Sequence, residues 1–364
     1  MGMARWAVAA SALVLSVSAC GTATAPGQPG ASTTSTTTAV PANCPSGVIS
    51  GVGPASQAEP TQEILGAYAD RCDFKSSVSY QNKSAEEARQ MFGNALSTWL
   101  TVQRPLPEAD AQQLAARCGN NPIWHLPTSA APLAVSWNLP GVDRLTLTPS
   151  VLAKLLSGAI TRWDDPAIAQ LNPDVQLPGI PVTPVLATDS PGITATLTGW
   201  LTSAAGPDWP NGETSEPTGP GKQTESLTDS VSALLGTPGT MSVLPLSYTR
   251  TNSLPAASID FGAGPVAPTP ETGSRALEAV EIPEGNDLRL EPDYRASAEA
   301  YPLTVIGYQV VCSRGNNSKQ GPVLRDFFSF WTTPAEQQAL ADLGLAPLPE
   351  GLRGRVSTAA GQIR

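Results

Sequence analysis

The chain has 364 residues, with 31 acidic and 21 basic side chains, a net charge of −10 and a single histidine. That balance excludes nucleic acid as an expected partner, because a phosphate backbone is gripped by clustered Lys and Arg. With no Cys-x-x-Cys pair and one histidine, a zinc site is not expected, and no nucleotide-loop or zincin motif points to a cofactor.

Arg5 precedes an apolar run over 7–17 that is too short to span a bilayer. Val17-Ser18-Ala19-Cys20 then fits a lipobox. Residues 1–20 are therefore predicted to be a lipoprotein signal peptide, with Cys20 the lipidated first residue of an extracytoplasmic, membrane-anchored protein. Residues 21–43 are uncharged Thr, Ser, Ala, Pro and Gly and are predicted to form a disordered tether. Flexible chain of that length spans about 25–30 Å.

From residue 48 onward, strand-like and helix-like segments alternate, which predicts an α/β class. Strands are predicted over 48–52, 78–81, 134–138 and 304–312, and helices over 59–68, 84–96, 149–156, 227–235, 323–331 and 334–343. In the second helix, Ala88, Met91, Phe92 and Leu96 are spaced to make one apolar face. Ser84 and Glu87 read as its capping box. Four cysteines follow Cys20: Cys44, Cys72, Cys118 and Cys312, an even number that predicts two disulfides in an exported protein. His125 lies in an apolar, strand-like context and reads as a packed side chain rather than a catalytic base, so no enzyme is expected.

Gly158, Ile160, Thr161, Trp163, Asp165, Pro166, Ala167, Ile168, Leu171, Asn172 and Pro173 form a GxITxWxDPAIxxLNP pattern. The segments over 236–260 and 327–352 continue the match. In these stretches the chain closely resembles the phosphate-binding proteins of ABC-type phosphate importers. The resemblance implies a two-lobed, periplasmic-binding-protein-like α/β fold (type II) with a hinge of crossing strands. Lobe I would comprise 44–133 and 304–364, and lobe II 134–303. In such lobes Cys44 and Cys72 flank the first strand–helix unit, and Cys312 ends a strand returning to the lobe of Cys118. Of three possible pairings, Cys44–Cys72 and Cys118–Cys312 are therefore preferred.

The resemblance also locates four ligand loops, where backbone N–H groups, hydroxyls, one arginine and one aspartate grip phosphate in the family. In the first, Gly51 and Gly53 match, and Ser56 is either a displaced hydroxyl donor or a helix N-cap. In the second, the chain keeps Tyr80-Gln81 and then departs from the family's pattern at Asn82, Lys83 and Ser84; the capping box fills the anion seat with the chain's own groups, and Lys83 is the cation that could still meet a ligand. In the third, Val102 and Gln103 replace the family's Ser-Asp, with Gln103 at the aspartate's place, and Arg104 adds a positive charge next to it. In the fourth, Asp189, Ser190, Gly192 and Thr194 are the residues able to meet a ligand. There Ala187 stands for the family's arginine, Pro191 for its central serine and Ile193 for its threonine. Ser190 followed by Pro191 also reads as an N-cap with proline in the first turn.

The expected protein is thus a monomeric, lipid-anchored solute-binding protein that delivers phosphate or another small polar solute to an ABC permease, with phosphate binding weakened or lost. A cell-envelope scaffold or sensor that keeps the fold without a solute is the alternative.

Overall fold

The computed structural model describes residues 43–291, 294 and 299–364. The expected signal peptide, Cys20 and all of the expected tether but its last residue lie outside them.

The chain opens with β1 (Gly47–Gly53), α1 (Ala58–Arg71), β2 (Ser76–Asn82), α2 (Ala85–Gly93), β3 (Trp99–Val102), α3 (Glu108–Ala115) and β4 (Ile123–Trp137). Next come β5 (Thr146–Leu147), α4 (Pro149–Ser157), α5 (Pro166–Leu171), β6 (Thr183–Ala187), α6 (Pro191–Ala204), β7 (Lys222–Thr224), α7 (Leu227–Gly236) and β8 (Thr240–Pro245). Then follow α8 (Leu246–Thr251), β9 (Ser258–Asp260), β10 (Pro265–Val266) and α9 (Pro270–Glu278). The last elements are β11 (Thr304–Cys312), α10 (Gln320–Trp331), α11 (Pro334–Asp342) and α12 (Glu350–Gly361).

Eight strands form one sheet in the order β2-β1-β3-β11-β4-β8-β6-β7, and β10-β9-β5 form a second. β1 runs parallel to β2 and β3, and β6 runs parallel to β7 and β8. Between these two parallel sets, β11 and β4 are antiparallel to their neighbours. The first part of β4 pairs with β11 up to Pro132, and the rest pairs with β8 from Leu133 onward. This is the expected α/β architecture with crossing strands at its centre.

Two expectations about the elements need correction. The strand expected over 134–138 begins much earlier, at Ile123, and nearly all its residues are buried. Pro127 and Pro132 obscure it in the sequence, because proline donates no ladder hydrogen bond. Pro127 faces a register shift at Gly307/Tyr308, and Pro132 lies where β4 changes partner, so both losses fall at breaks in the ladder. The second helix ends at Gly93 rather than reaching residue 96. Ala95 turns the chain at φ 55°, and Leu96 N–H closes the end on Met91 C=O at 2.8 Å. Leu96 is therefore 65% exposed, while Ala88 and Phe92 carry the buried face.

The residues of the GxITxWxDPAI pattern serve the fold. Gly158 ends α4 at φ 80°, where a Cβ would also lie 2.6 Å from Pro220. Trp163 is fully buried and donates its indole N–H to Gly239 C=O at 2.9 Å. The Asp165 carboxylate caps α5 through Ala167 N–H at 2.8 Å, so it is not free for acid/base work. Asn172 bonds both backbone groups of Thr146, at 2.8 and 2.9 Å. Disulfides join Cys44 to Cys72 and Cys118 to Cys312, with Cα separations of 5.5 and 5.4 Å. The second links α3's end to β11 across 194 residues of chain.

Candidate functional site

Four loops converge near the C-terminal ends of β1, β2, β3 and β6. Behind them lies a buried polar network. Thr101 Oγ1 donates to Gln309 Oε1 at 2.7 Å, Gln309 Nε2 donates to Thr128 at 3.0 Å, and Ser129 Oγ donates to Gln57 Oε1 at 3.0 Å. These bonds pin the two crossing strands to β3 and to the turn before α1, so the loop ends are held by a rigid base. Gly307 is required there, since a Cβ would lie 2.4 Å from both Gln57 and Ser129 side-chain oxygens.

Two cavities open among the loops. The smaller, of about 310 Å³, is lined by Arg89, Gln103, Arg104, Asp110, Asp189 and Gly192, among others. The larger, of about 660 Å³, shares residues 103–107 with it and is walled further by α6, the 213–215 loop, residues 289–291 and β11. Both fall in the size range of small-molecule sites.

Of the nine expected ligand residues, Gln103, Arg104, Asp189 and Gly192 come together on the smaller cavity. Ser56, Lys83, Ser84, Ser190 and Thr194 are not on its walls. Ser56 lies in a short 3-10 turn; it lines neither of these two cavities and does not cap α1, whose N-cap is Gln57. The Ser56 hydroxyl is buried with no partner among the described residues. Lys83 binds Gly53 C=O through its backbone N–H at 2.8 Å. Ser84 is engaged with Glu87: its hydroxyl accepts from Glu87 N–H at 3.3 Å, and Glu87 accepts from Ser84 N–H at 3.3 Å. The Ser84 hydroxyl also donates to Glu87 Oε2 at 3.0 Å, and this bond first, then the one from Ser84 N–H, holds the Glu87 carboxyl below its ordinary pKa.

Ser190 occupies the N-cap position of α6, but its side chain makes no capping bond. Its hydroxyl donates to Asp189 Oδ1 at 2.9 Å, a charge-assisted bond. Thr194 turns back onto Ser190 C=O at 3.5 Å. Burial pushes the Asp189 carboxyl above its ordinary pKa, against the opposing Ser190 hydrogen bond. Gly192 presses on the third loop, where a Cβ would lie 2.4 Å from Gln103 Cβ. Gln103 itself is only 6% exposed, and its amide nitrogen has no partner among the described residues.

The arginines around the cavities are matched by carboxylates within the chain. Arg89 bonds Asp110 at 2.6 Å and Glu86 at 2.5 Å. Arg104 is ion-paired to Glu213 on the 213–215 loop. Arg289 bonds Glu108 at 3.0 Å and Leu106 C=O. His125 is fully buried behind the third loop, with Nε2 accepting from Leu106 N–H at 3.1 Å. Its Nδ1 therefore carries the proton and donates to Asp287 Oδ1 at 2.7 Å. Both ring nitrogens are engaged, which makes His125 a clasp for the loop rather than a base.

The sequence reading missed Arg89, Asp110, Glu213, Arg289, Glu291 and Tyr308 on the cavity walls. Arg89 was within reach, being one turn beyond the capping box on the same helix. Glu213 had no signal, since it sits in a long loop rich in Gly, Pro, Ser and Thr. Among the described residues, the grouping with metal-ligand geometry is Cys44, Cys72 and Asp326, and its cysteines are joined as a disulfide. Also among the described residues, no helix is long and apolar enough to cross a membrane.

Residues 24–335 match the family model of a PBP superfamily domain. The phosphate-binding protein PstS 3 of Mycobacterium tuberculosis is 34% identical over 266 residues, 71% of either chain. The phosphate-binding protein of Stenotrophomonas maltophilia superposes with a TM-score of 0.67 at 18% identity, covering 86% of this chain and 94% of that one. An ABC-type phosphate transport receptor from Vibrio cholerae gives 0.54 at 14% identity, covering 83% of this chain and 100% of its own.

Proposed function

The chain belongs to the phosphate-binding protein family of ABC phosphate importers, and on that premise we propose that it is a solute-binding protein of the cell envelope. Its two lobes close on a small polar solute and present it to an ABC permease. Lobe I comprises 44–133 and 304–364, and lobe II comprises 134–303. Within lobe II, the segment around 283–290 reaches back to lobe I. Leu288 N–H donates to His125 C=O at 3.0 Å, and Arg355 donates to Pro283 and Gly285 C=O at 2.9 and 2.8 Å. The anchor is lipid on Cys20. A Cys20→Ala chain should be lost from membranes after a carbonate wash; full retention would refute the anchor.

Phosphate is bound weakly. One observation carries this reading: both arginines on the smaller cavity, Arg89 and Arg104, are already bonded to carboxylates of the chain. Ala187 supplies no charge where the family has arginine, Pro191 supplies no N–H, and the N-terminus of α2 is occupied by its own capping box. Losing a charge-assisted partner of a desolvated anion costs about 2–5 kcal/mol. Calorimetric titration with phosphate at two pH values should therefore give a Kd of about 1 mM or weaker. Micromolar binding would overturn the reading.

A further inference from the structure

The larger cavity has features that a five-atom phosphate does not use. Leu106, Leu290, Ile306 and Tyr308 give it an apolar side, while Arg104 and Arg289 stand with Glu213 and Glu291 on its polar walls. The Arg104–Glu213 pair ties the third loop to the 213–215 loop, and its side chains are 34% and 49% exposed. An ion pair so open to water is held weakly and exchanges readily. Beside it lies Gln103, more than nine-tenths buried, lining both cavities with an amide nitrogen that has no partner among the described residues.

We propose that this cleft binds a small zwitterion, one molecule bearing an ammonium group and a carboxylate or phosphonate, which enters by exchanging with the Arg104–Glu213 pair. The inference rests on the solute-binding reading and names its solute class. The ligand's anion takes the Arg104 guanidinium and the Gln103 amide, and its ammonium takes Glu213. The apolar side of the cavity takes its carbon chain. Charge bookkeeping separates the alternatives. Inorganic phosphate parts the pair and leaves Glu213 facing an anion, which is repulsive. A neutral polyol parts the pair and compensates neither ion. A zwitterion replaces one ion pair with two and adds an acceptor for Gln103.

The test is binding by the full chain, read by calorimetry, of the twenty common L-amino acids and 2-aminoethylphosphonate, with inorganic phosphate and trehalose alongside. At least one zwitterion should bind with a Kd of about 100 µM or tighter. Glu213→Gln and Arg104→Gln should each weaken it about tenfold or more, with unfolding midpoints recorded to show that both variants fold. Glu213→Gln should also strengthen binding of inorganic phosphate, which a merely structural role for Glu213 would not do. Trehalose binding without any zwitterion binding, or zwitterion binding that both variants leave unchanged, overturns the proposal while the solute-binding reading stands. Binding of none of the probes overturns it as well. Micromolar phosphate binding overturns the proposal and the weak-phosphate reading together.

Discussion

Asp189 is half buried beside the smaller cavity, and burial raises its carboxyl pKa above the ordinary 3.8. A raised folded-state value means that the unfolded chain ionises first as pH rises. Ionised Asp189 therefore opposes folding above the ordinary value, and the opposition vanishes below it, where both states are protonated. Asp189→Asn keeps an acceptor for the Ser190 hydroxyl and removes the charge. Its unfolding midpoint should exceed that of the parent at pH 7, and the difference should shrink to nothing as pH falls below about 3.8. Trp163 makes the opposite kind of contribution. Trp163→Phe removes the indole donor to Gly239 C=O, which keeps its bond from Thr183 N–H at 2.9 Å, so the lost hydrogen bond should cost about 0.5–1.5 kcal/mol in urea unfolding.

Among the elements, α2 and α6 define how the loops meet. Ser84→Ala removes the capping box of α2 and should destabilise the protein by about 1 kcal/mol. The contact between the α6 N-terminus and the third loop leaves no space at Gly192. Gly192→Ala should drive Gln103 aside at a cost of about 1–3 kcal/mol, visible as a lower unfolding midpoint. The crossing strands behave as one unit with their disulfide. Replacing Cys118 and Cys312 by serine frees a loop of 194 residues. In the chain-entropy account this should cost about 5 kcal/mol, measured by denaturant unfolding against the parent.

At the scale of the whole molecule, much of the architecture was legible because it rests on local rules. Pro149 opens α4 and Gly158 closes it, and Ser84 and Glu87 cap α2, all within a few residues of chain. The GxITxWxDPAI pattern was readable through the resemblance, and its Trp163 and Asp165 side chains answer backbone groups of Gly239 and Ala167. The long β4 was not, because its two prolines are tolerated only where β11 shifts register and where β8 takes over. Of the site, Ala187, Pro191 and the capping box of α2 were visible in the chain. The walls of the cavities were not. Glu213 meets Arg104 across 109 residues, and Arg289 reaches Glu108 across 181. Such pairs obey no spacing rule; they exist only once β4 and β11 have crossed and carried their loops together. Composition and local pattern thus settled the class and the caps of α2 and α4, because these depend on neighbours in sequence. Which charges face the cleft, and that each arginine there already has a carboxylate, depended on contacts that only the assembled sheet creates.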